Sequence, residues 1–493
     1  MQRKSVRCVF TGNLSLPPLQ DSQPLKTWAA LFDPNPHHWS WGAHNLNGPT
    51  DDQYTGRGIY LCGYFDVPLD YLNHSDPRIA RLAVPKFQVS GLSRIGSHGS
   101  TLTSGKSKRT IVVEPGGPGA SGTLQVWQEG ETITERFSSG QFDVFGWGPR
   151  GVNSSLPTAS CYPHVENIHH WSLLTGQYRE TSEPDPVRQL KIADAMNNAT
   201  FYACRQRLGD FGRFVTTASV VRDLAEIRKA LNKEELTAYF VSYGTGIGQT
   251  YANMFPNSVG RMILDGPQYV KDQRLLGGWG WKSLNNVTNL WHDGFLGECV
   301  KSGPQKYALA SGRQGGSATL EELESRMGTL LHSVLANPVA GYTESDGPTL
   351  ITYSELVVQI YVSLYEPSTW PATAQMLYEL EAGNSTLAAA ALGLRWTHAS
   401  STPSAIEKHP SDELPHLVIC ADAYDAPTPE GGLVWWDHLW ADMTHRSWIS
   451  GNFRFLSVFP CRHLKTYWPD AAEVYCGDVN HTLKNPILII GVT

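Results

Sequence analysis

Ser242 has the clearest chemical setting in the chain. The apolar, β-prone run Ala238 to Val241 feeds into it. Small residues follow at Gly244, Gly246 and Gly248, then a helical pattern through Tyr251, Ala252 and Phe255. A strand, a sharp turn and a helix in that order lift a serine hydroxyl above a sheet edge, where a substrate carbonyl can reach it. The usual wording is Gly-x-Ser-x-Gly; here Gly244 fills the last position, but Phe240 occupies the first. Alone, a Ser-x-Gly after a strand describes an ordinary turn, so the neighbouring segments decide. Upstream, the buried-type strand Thr110 to Glu114 runs into Pro115-Gly-Gly-Pro-Gly-Ala-Ser-Gly122, with four glycines in eight residues. Such a loop can take unusual backbone angles and aim N–H groups at one point in space. A serine nucleophile and preorganised amide donors are two of the parts that acyl transfer needs.

The elements that must hold these parts follow from pattern. Gly58 to Leu69 and Ala80 to Val89 read as strands, and Ser90 to Lys108 as a Gly/Ser loop. Gln141 to Gly146 is a further strand, ending in Trp147-Gly-Pro-Arg-Gly151. Residues 160–212 are polar, with one helix expected near Val187 to Arg207. Val221, Leu224, Ile227 and Leu231 recur at helical spacing, which predicts a helix over Ala218 to Leu231 capped by Thr217. Arg261 to Asp265 is one more strand. Strands alternating with helices imply a mostly parallel sheet covered on both faces. From about 270 the alternation stops. Helical stretches (Leu320 to Leu335, Tyr353 to Tyr365, Thr373 to Glu381) and Trp-rich joints predict a helical insertion, and Asn485 to Thr493 reads as a buried-type strand. The expected division is a core with lead-in over 1–269, a mainly helical cap over 270–480 and a returning core strand over 481–493.

Composition narrows the class. With 493 residues, 41% hydrophobic and 17% charged, the chain is globular and large enough for a core plus a second body. A net charge of -7 gives no attraction for nucleic acid. No apolar run approaches the roughly 18 residues of a membrane span, and no signal-peptide h-region is visible. The eight cysteines show no metal-ligand spacing, which argues against zinc, and no cofactor motif is present. Scattered cysteines in even number suit disulfides. Sequons stand at Asn13, Asn73, Asn153, Asn198, Asn286, Asn384 and Asn480. Together these favour a secreted glycoprotein, with a cytoplasmic protein carrying buried thiols as the alternative.

Taken together, VPLDY (67–71), VVEPGGPGASG (112–122), FDVFGWGPRGV (142–152), SYGTGIGQTYANMFP (242–256), VGRMILDG (259–266), Cys461 with Trp468, and NPILIIG (485–491) resemble an α/β-hydrolase. More narrowly, they resemble the tripeptidyl-aminopeptidase and proline-iminopeptidase-like serine peptidases. The resemblance implies that Ser242 is the nucleophile and that the backbone N–H groups of Gly117 and Tyr243 form the oxyanion hole. Arg150 stands where the family keeps an arginine and is read as structural. Three departures are Phe240 in the elbow, which could crowd the serine, Gly148 where the family has Asp, and Asn153 at a usual glycine position.

The largest departure concerns the triad. The resemblance places an acid shortly after the strand matched by NPILIIG and a histidine later still; here the sequence stops at Thr493 with neither matched. The C-terminal part of the core is therefore expected to be missing, unless the base comes from elsewhere or triad chemistry is absent. Among stand-ins, Asp265 ends the strand beside the elbow strand, and Asp425 lies in wording like the family's acid loop. His481, His463 and His445 are nearest the expected base region, His481 foremost. Three functions stay open: an exopeptidase-like serine hydrolase acting on small peptides, a small-molecule ester or amide hydrolase or cyclase, and a non-catalytic binding protein on the same scaffold. In the resembling enzymes cap carboxylates hold the substrate amine; Glu321, Glu322, Glu324 and Glu355 are the acids available here.

Overall fold

The computed structural model describes residues 58–90, 93–95, 101–103, 107, 109–176, 186–312, 315–344, 347–393, 413–423, 429–469, 472–475, 477 and 480–491. The chain opens with the antiparallel pair β1 (Ile59–Pro68) and β2 (Ile79–Gln88). A short hairpin, β3 (Ser93–Ile95) and β4 (Thr101–Thr103), lies within the stretch expected to be loop. There follow β5 (Thr110–Glu114), helix α1 (Gly122–Ser138), β6 (Asp143–Gly146), α2 (Val165–Gly176), α3 (Pro186–Leu208), α4 (Thr217–Ala230), β7 (Leu236–Val241), α5 (Tyr243–Met254) and β8 (Val259–Asp265). Every residue of β5 is buried, as expected of an unbroken apolar strand inside a parallel sheet.

The later part carries α6 (Leu320–Ala336), the hairpin β9 (Val339–Thr343) and β10 (Gly347–Ile351), α7 (Tyr353–Leu364), α8 (Trp370–Glu381), α9 (Thr386–Gly393), α10 (Glu413–Asp422), α11 (Leu433–Arg446) and α12 (Gly451–Val458). Strand β11 (Ile487–Ile490) then rejoins the sheet beside β8. The hairpin was not legible in sequence; its outer face alternates with a half-buried inner one.

The main sheet has seven strands in the order β1-β2-β6-β5-β7-β8-β11. β5 pairs in parallel with β6 on one side and β7 on the other, and β7, β8 and β11 continue in parallel. The chain therefore reverses its direction of spread at β5, the place where open α/β sheets leave a crevice at their carboxyl edge. Register puts Glu114 beside Phe240, and Val241 and Ile490 on either side of Asp265. The ends of four strands thus meet along one rim.

Two differences from the sequence reading matter for the site. Residues of 270–480 fall into two hydrophobic clusters. One is made of α6 to α9 and their neighbours around Phe295, Leu323 and Ile360. The other is the sheet's own core, which takes in Leu414, Leu417, Trp436, Phe455 and Phe459. In β11, Leu488, Ile489 and Ile490 are exposed. Among the described residues β8 is its only strand neighbour, and Ile487 alone of the four packs against the main core. Disulfides join Cys161 to Cys204 and Cys420 to Cys461, and Cys299 is a buried free thiol. Among the described residues no helix is long and apolar enough to cross a membrane.

Candidate active site

Ser242 sits between β7 and α5 at φ 54° and ψ −122°, a backbone conformation that side chains other than glycine rarely adopt. Its N–H donates to the Asp265 carbonyl at 2.9 Å, and its own carbonyl accepts from the Thr245 N–H at 2.9 Å and the Thr245 hydroxyl at 2.6 Å. These bonds hold the strained turn from both sides. The half-buried Ser242 hydroxyl has no hydrogen-bond partner among the described residues.

The expected crowding by Phe240 does not displace the turn, because room is made on the facing helix. Phe240 is fully buried, and a Cβ on Gly248 of α5 would lie 2.9 Å from its ring and 2.5 Å from Leu264. The close approach of helix to strand that the missing elbow glycine would allow is supplied by Gly248.

The glycine loop lies directly against the turn. Gly116 and Gly117 have φ of 106° and 105°. A Cβ on Gly116 would meet the Val241 carbonyl at 2.7 Å, Ser242 Cβ at 2.9 Å and the Tyr243 nitrogen at 2.9 Å. The Gly116 N–H is occupied: it donates to Glu114 Oε2 at 2.8 Å. The Gly117 N–H has no acceptor among the described residues, and Tyr243, as the first residue of α5, has none within its helix. Of the Gly116 and Gly117 amides, only that of Gly117 is left without an acceptor among the described residues.

Glu114 itself was not singled out from sequence. It is completely buried at the end of β5, packed under Gly244, whose Cβ would come within 2.6 Å of Oε2. Oε1 has no partner among the described residues. Burial pushes its carboxyl well above the ordinary range, against the pull of the Gly116 N–H. The only sequence signal was a charged residue closing an otherwise apolar strand.

The structure disperses the other candidates. Asp265 ends β8 one register step from Ser242, and its Oδ2 accepts from the Tyr239 hydroxyl at 2.9 Å; no histidine contacts it among the described residues. Tyr239 is pushed up to about 12 by burial and by that carboxylate. His481 is exposed and bonds Asn253 at 3.2 Å, at the far end of α5. The 1.5 Å rise per residue puts that end about 16 Å from Ser242. His463 pairs with Asp194 at 2.8 Å, and His445 is exposed at the end of α11. Asp425 lies outside the described residues.

Arg150 is buried in a structural role, as its sequence position implied. It binds Asp223 through Nε and a terminal nitrogen at 2.6 and 2.7 Å and donates to the carbonyls of Leu69 and Pro68. The cap acids have local work. Glu355 closes a capping box with Thr352, Glu321 and Glu322 occupy the first turn of α6, and Glu324 pairs with His292 at 2.6 Å. Thr217 is not the cap of α4; Thr216 is, accepting from the Ser219 N–H. Among the described residues no group of three or more metal-ligating side chains is gathered.

Helix α10, from the later part of the chain, roofs this region. Pro415 lies 3.5 Å from a Cβ position on Gly119, and Leu414 lies 3.4 Å from one on Gly151. The glycine loop and the Gly-Pro-Arg-Gly turn are thus covered by one helix.

Comparison with known proteins agrees with this architecture. A family model described as the alpha/beta hydrolase fold matches residues 109–286. The chain is 29% identical over 354 residues to serine protease Hip1 of Mycobacterium tuberculosis, covering 69% of this chain and 59% of the relative. It is 28% identical over 327 residues to tripeptidyl aminopeptidase of Streptomyces lividans, covering 66% and 53%. It spans, then, little more than half the length of these relatives. A solved putative alpha/beta hydrolase from Nostoc is similar at 12% identity over 69% of this chain and 72% of that one, with a TM-score of 0.25. The chain thus has the α/β-hydrolase fold and is similar in sequence to a serine protease and to a tripeptidyl aminopeptidase.

Proposed function

We propose that the protein is a serine hydrolase that uses Ser242 to cleave small peptides or related amides and esters through an acyl-enzyme. The observation that carries this is the Ser242 turn itself: a strained residue whose hydroxyl is uncommitted, next to a loop whose Gly117 N–H is also uncommitted. In this reading Ser242 Oγ bonds to the substrate carbonyl carbon and gives its proton to a base. The Gly117 and Tyr243 amides take the oxyanion, and the leaving amine or alcohol departs with a proton. Water then cleaves the ester. The base is not among the described groups in contact with Ser242.

The name of the Streptomyces relative extends the proposal to peptides with a free amino terminus. Two disulfides and the exposed sequon asparagines Asn73, Asn198, Asn286, Asn384 and Asn480 support a secretory setting. The test is labelling with a fluorophosphonate, followed by mass analysis of the modified peptide. One adduct on Ser242, absent in Ser242→Ala, is expected. A folded protein that stays unlabelled would refute the hydrolase reading and favour a binding protein on this scaffold.

A further inference from the structure

Behind the turn lies a buried polar chain that the mechanism above does not use. Asp422, the last residue of α10, is buried, and it reaches Thr217 at the start of α4 across 205 positions of sequence. Its Oδ1 accepts from the Thr217 N–H at 2.8 Å, and its Oδ2 accepts from the Thr217 hydroxyl. Thr217 Oγ1 in turn lies 2.6 Å from the hydroxyl of Tyr243, the residue that follows Ser242. Tyr243 is buried, with its ring 6.0 Å from that of Trp279. The Cys420–Cys461 disulfide fixes α10 two residues before Asp422.

Counting hydrogens gives this chain a direction. Burial, and then the Asp422 charge, hold the Tyr243 phenol well above its ordinary value, so its proton stays on. With Asp422 ionised, Tyr243 donates to Thr217, Thr217 donates to Asp422, and every hydrogen has an acceptor. With Asp422 protonated, three hydroxyl hydrogens share two links, and one is stranded in the interior. The links between α10, α4 and the head of α5 are complete only in the charged state.

We propose that Asp422 is a positioning residue: through Thr217 it holds Tyr243, and with it the amide donor after Ser242, so that the site is competent only while Asp422 is ionised. The inference rests on the serine-hydrolase reading. The titratable and charged groups around the chain are Tyr243 from α5, Glu114 behind it from β5, and Arg274 and Tyr475, which share a cavity of about 20 Å³ with Asp422. Glu413 and His416 lie on α10 itself. The Arg274 guanidinium is turned to the Gly477 carbonyl and stacks 5.3 Å over the Tyr475 ring. Burial raises the Asp422 carboxyl to about 6, opposed by the two bonds from Thr217.

Two readouts then move in opposite directions. The folded pKa lies above the unfolded one, so the fold favours the protonated acid. The stability gained that way is full below the unfolded value, about 3.9, and is lost as pH rises through the folded value. Site competence instead rises over the same interval. A merely structural Asp422 would move both together.

The experiment measures the rate of fluorophosphonate labelling at Ser242 and the thermal midpoint for wild type and Asp422→Asn between about pH 4 and about pH 8. Taking the ratio of the two labelling rates cancels any titrating base common to both proteins. The ratio should be about tenfold (about 1.4 kcal/mol) near pH 8 and approach one below about pH 5. The wild-type midpoint relative to the variant should fall between about pH 4 and about pH 6 and stay level above. Thr217→Ser should keep the wild-type profile, and Thr217→Val should label slowly at high pH; this pair decides the matter if Asp422→Asn does not fold. A labelled wild type whose ratio is flat in pH, or a midpoint difference that does not change, overturns the inference alone. A wild type unlabelled at every pH overturns the hydrolase reading and the inference with it.

Discussion

Gly116 and Gly119 form a matched pair for testing whether the glycine loop sets the serine. Their backbones are alike, at φ 106° and 98°, so an alanine at either carries similar backbone strain, about 1–3 kcal/mol. Their surroundings differ. A Cβ at 116 would stand 2.7 Å from the Val241 carbonyl and 2.9 Å from both Ser242 Cβ and the Tyr243 nitrogen, all of them the turn itself and none able to swing away. At 119 its nearest neighbour is Pro415 at 3.5 Å, an ordinary contact. Both variants should lose thermal stability by comparable amounts. Only Gly116→Ala should separate loop from turn, and a transition state that loses one oxyanion donor typically loses about 3–4 kcal/mol, a factor of 10²–10³. Stopped-time labelling of Ser242 with a fluorophosphonate, at a temperature where both variants are folded, reads the difference. We expect Gly116→Ala to fall by at least about a hundredfold and Gly119→Ala to stay within about threefold of wild type. Equal losses in the two variants would refute the claim that the loop acts through its contact with the turn.

Three further outcomes follow from buried charge and covalent links. Arg150→Met leaves the Asp223 carboxylate buried without its partner and should cost about 3–5 kcal/mol, read as a fall in thermal midpoint, with Arg150→Met/Asp223→Asn recovering part of it; an unchanged midpoint would show that the pair is not holding the Gly-Pro-Arg-Gly turn to β1. The fold favours protonated Glu114, so its stabilising effect is full below the unfolded value near 4.3 and drains as pH rises toward the folded one. Glu114→Gln should therefore unfold at a higher temperature than wild type at neutral pH and lose that advantage below about pH 4; a variant less stable than wild type at neutral pH would mean that the carboxyl is ionised in place. Peptide mapping without reduction should find Cys161 linked to Cys204 and Cys420 to Cys461, and Cys420→Ser/Cys461→Ser should cost about 2–4 kcal/mol; Cys299 bonded to either pair would contradict the fold.

What could be read in advance was whatever the chain writes locally. The strands at 59–68, 79–88, 110–114 and 236–241 follow from runs of β-branched and aromatic residues between turn residues, and 110–114, a parallel strand buried throughout, carries no polar alternation. The cap of α4 was misplaced by one residue because Thr216 and Thr217 are equally good cap side chains. The tie is broken by Asp422, which takes Thr217 for itself from 205 residues away. Phe240 looked disruptive for the same reason: the glycine that compensates for it, Gly248, lies on the next helix and not at the motif position. His481 sits close in sequence to the strand that rejoins the rim, but that strand enters from the opposite end of the sheet, and the residue faces the tail of α5.

The region after 270 shows how such a chain can place function in what looks like an accessory insertion. Its first half, α6 to α9 with the β9–β10 hairpin, closes on its own aromatic and leucine core around Phe295 and Trp370. Its second half does not. α10 to α12 put Leu417, Trp436 and Phe455 into the core that carries the sheet, with Phe459 just after them, and the Cys420–Cys461 link ties α10 to the turn after α12. An independent cap could tilt without disturbing the strands, whereas α10 cannot: Pro415 meets the glycine loop, Leu414 meets the Gly-Pro-Arg-Gly turn, and Asp422 ends in the hydrogen-bond chain behind Tyr243. The two halves should therefore respond differently to perturbation. Substitutions in the core of α6 to α9, such as Leu323→Ala, cost about 2–5 kcal/mol locally and should leave the labelling rate of Ser242 unchanged while that part loosens. A substitution of the same size under α10, Leu417→Ala, should lower stability and labelling together. Hydrogen exchange resolved by segment distinguishes the two, and loss of labelling in both variants would show that the halves move as one.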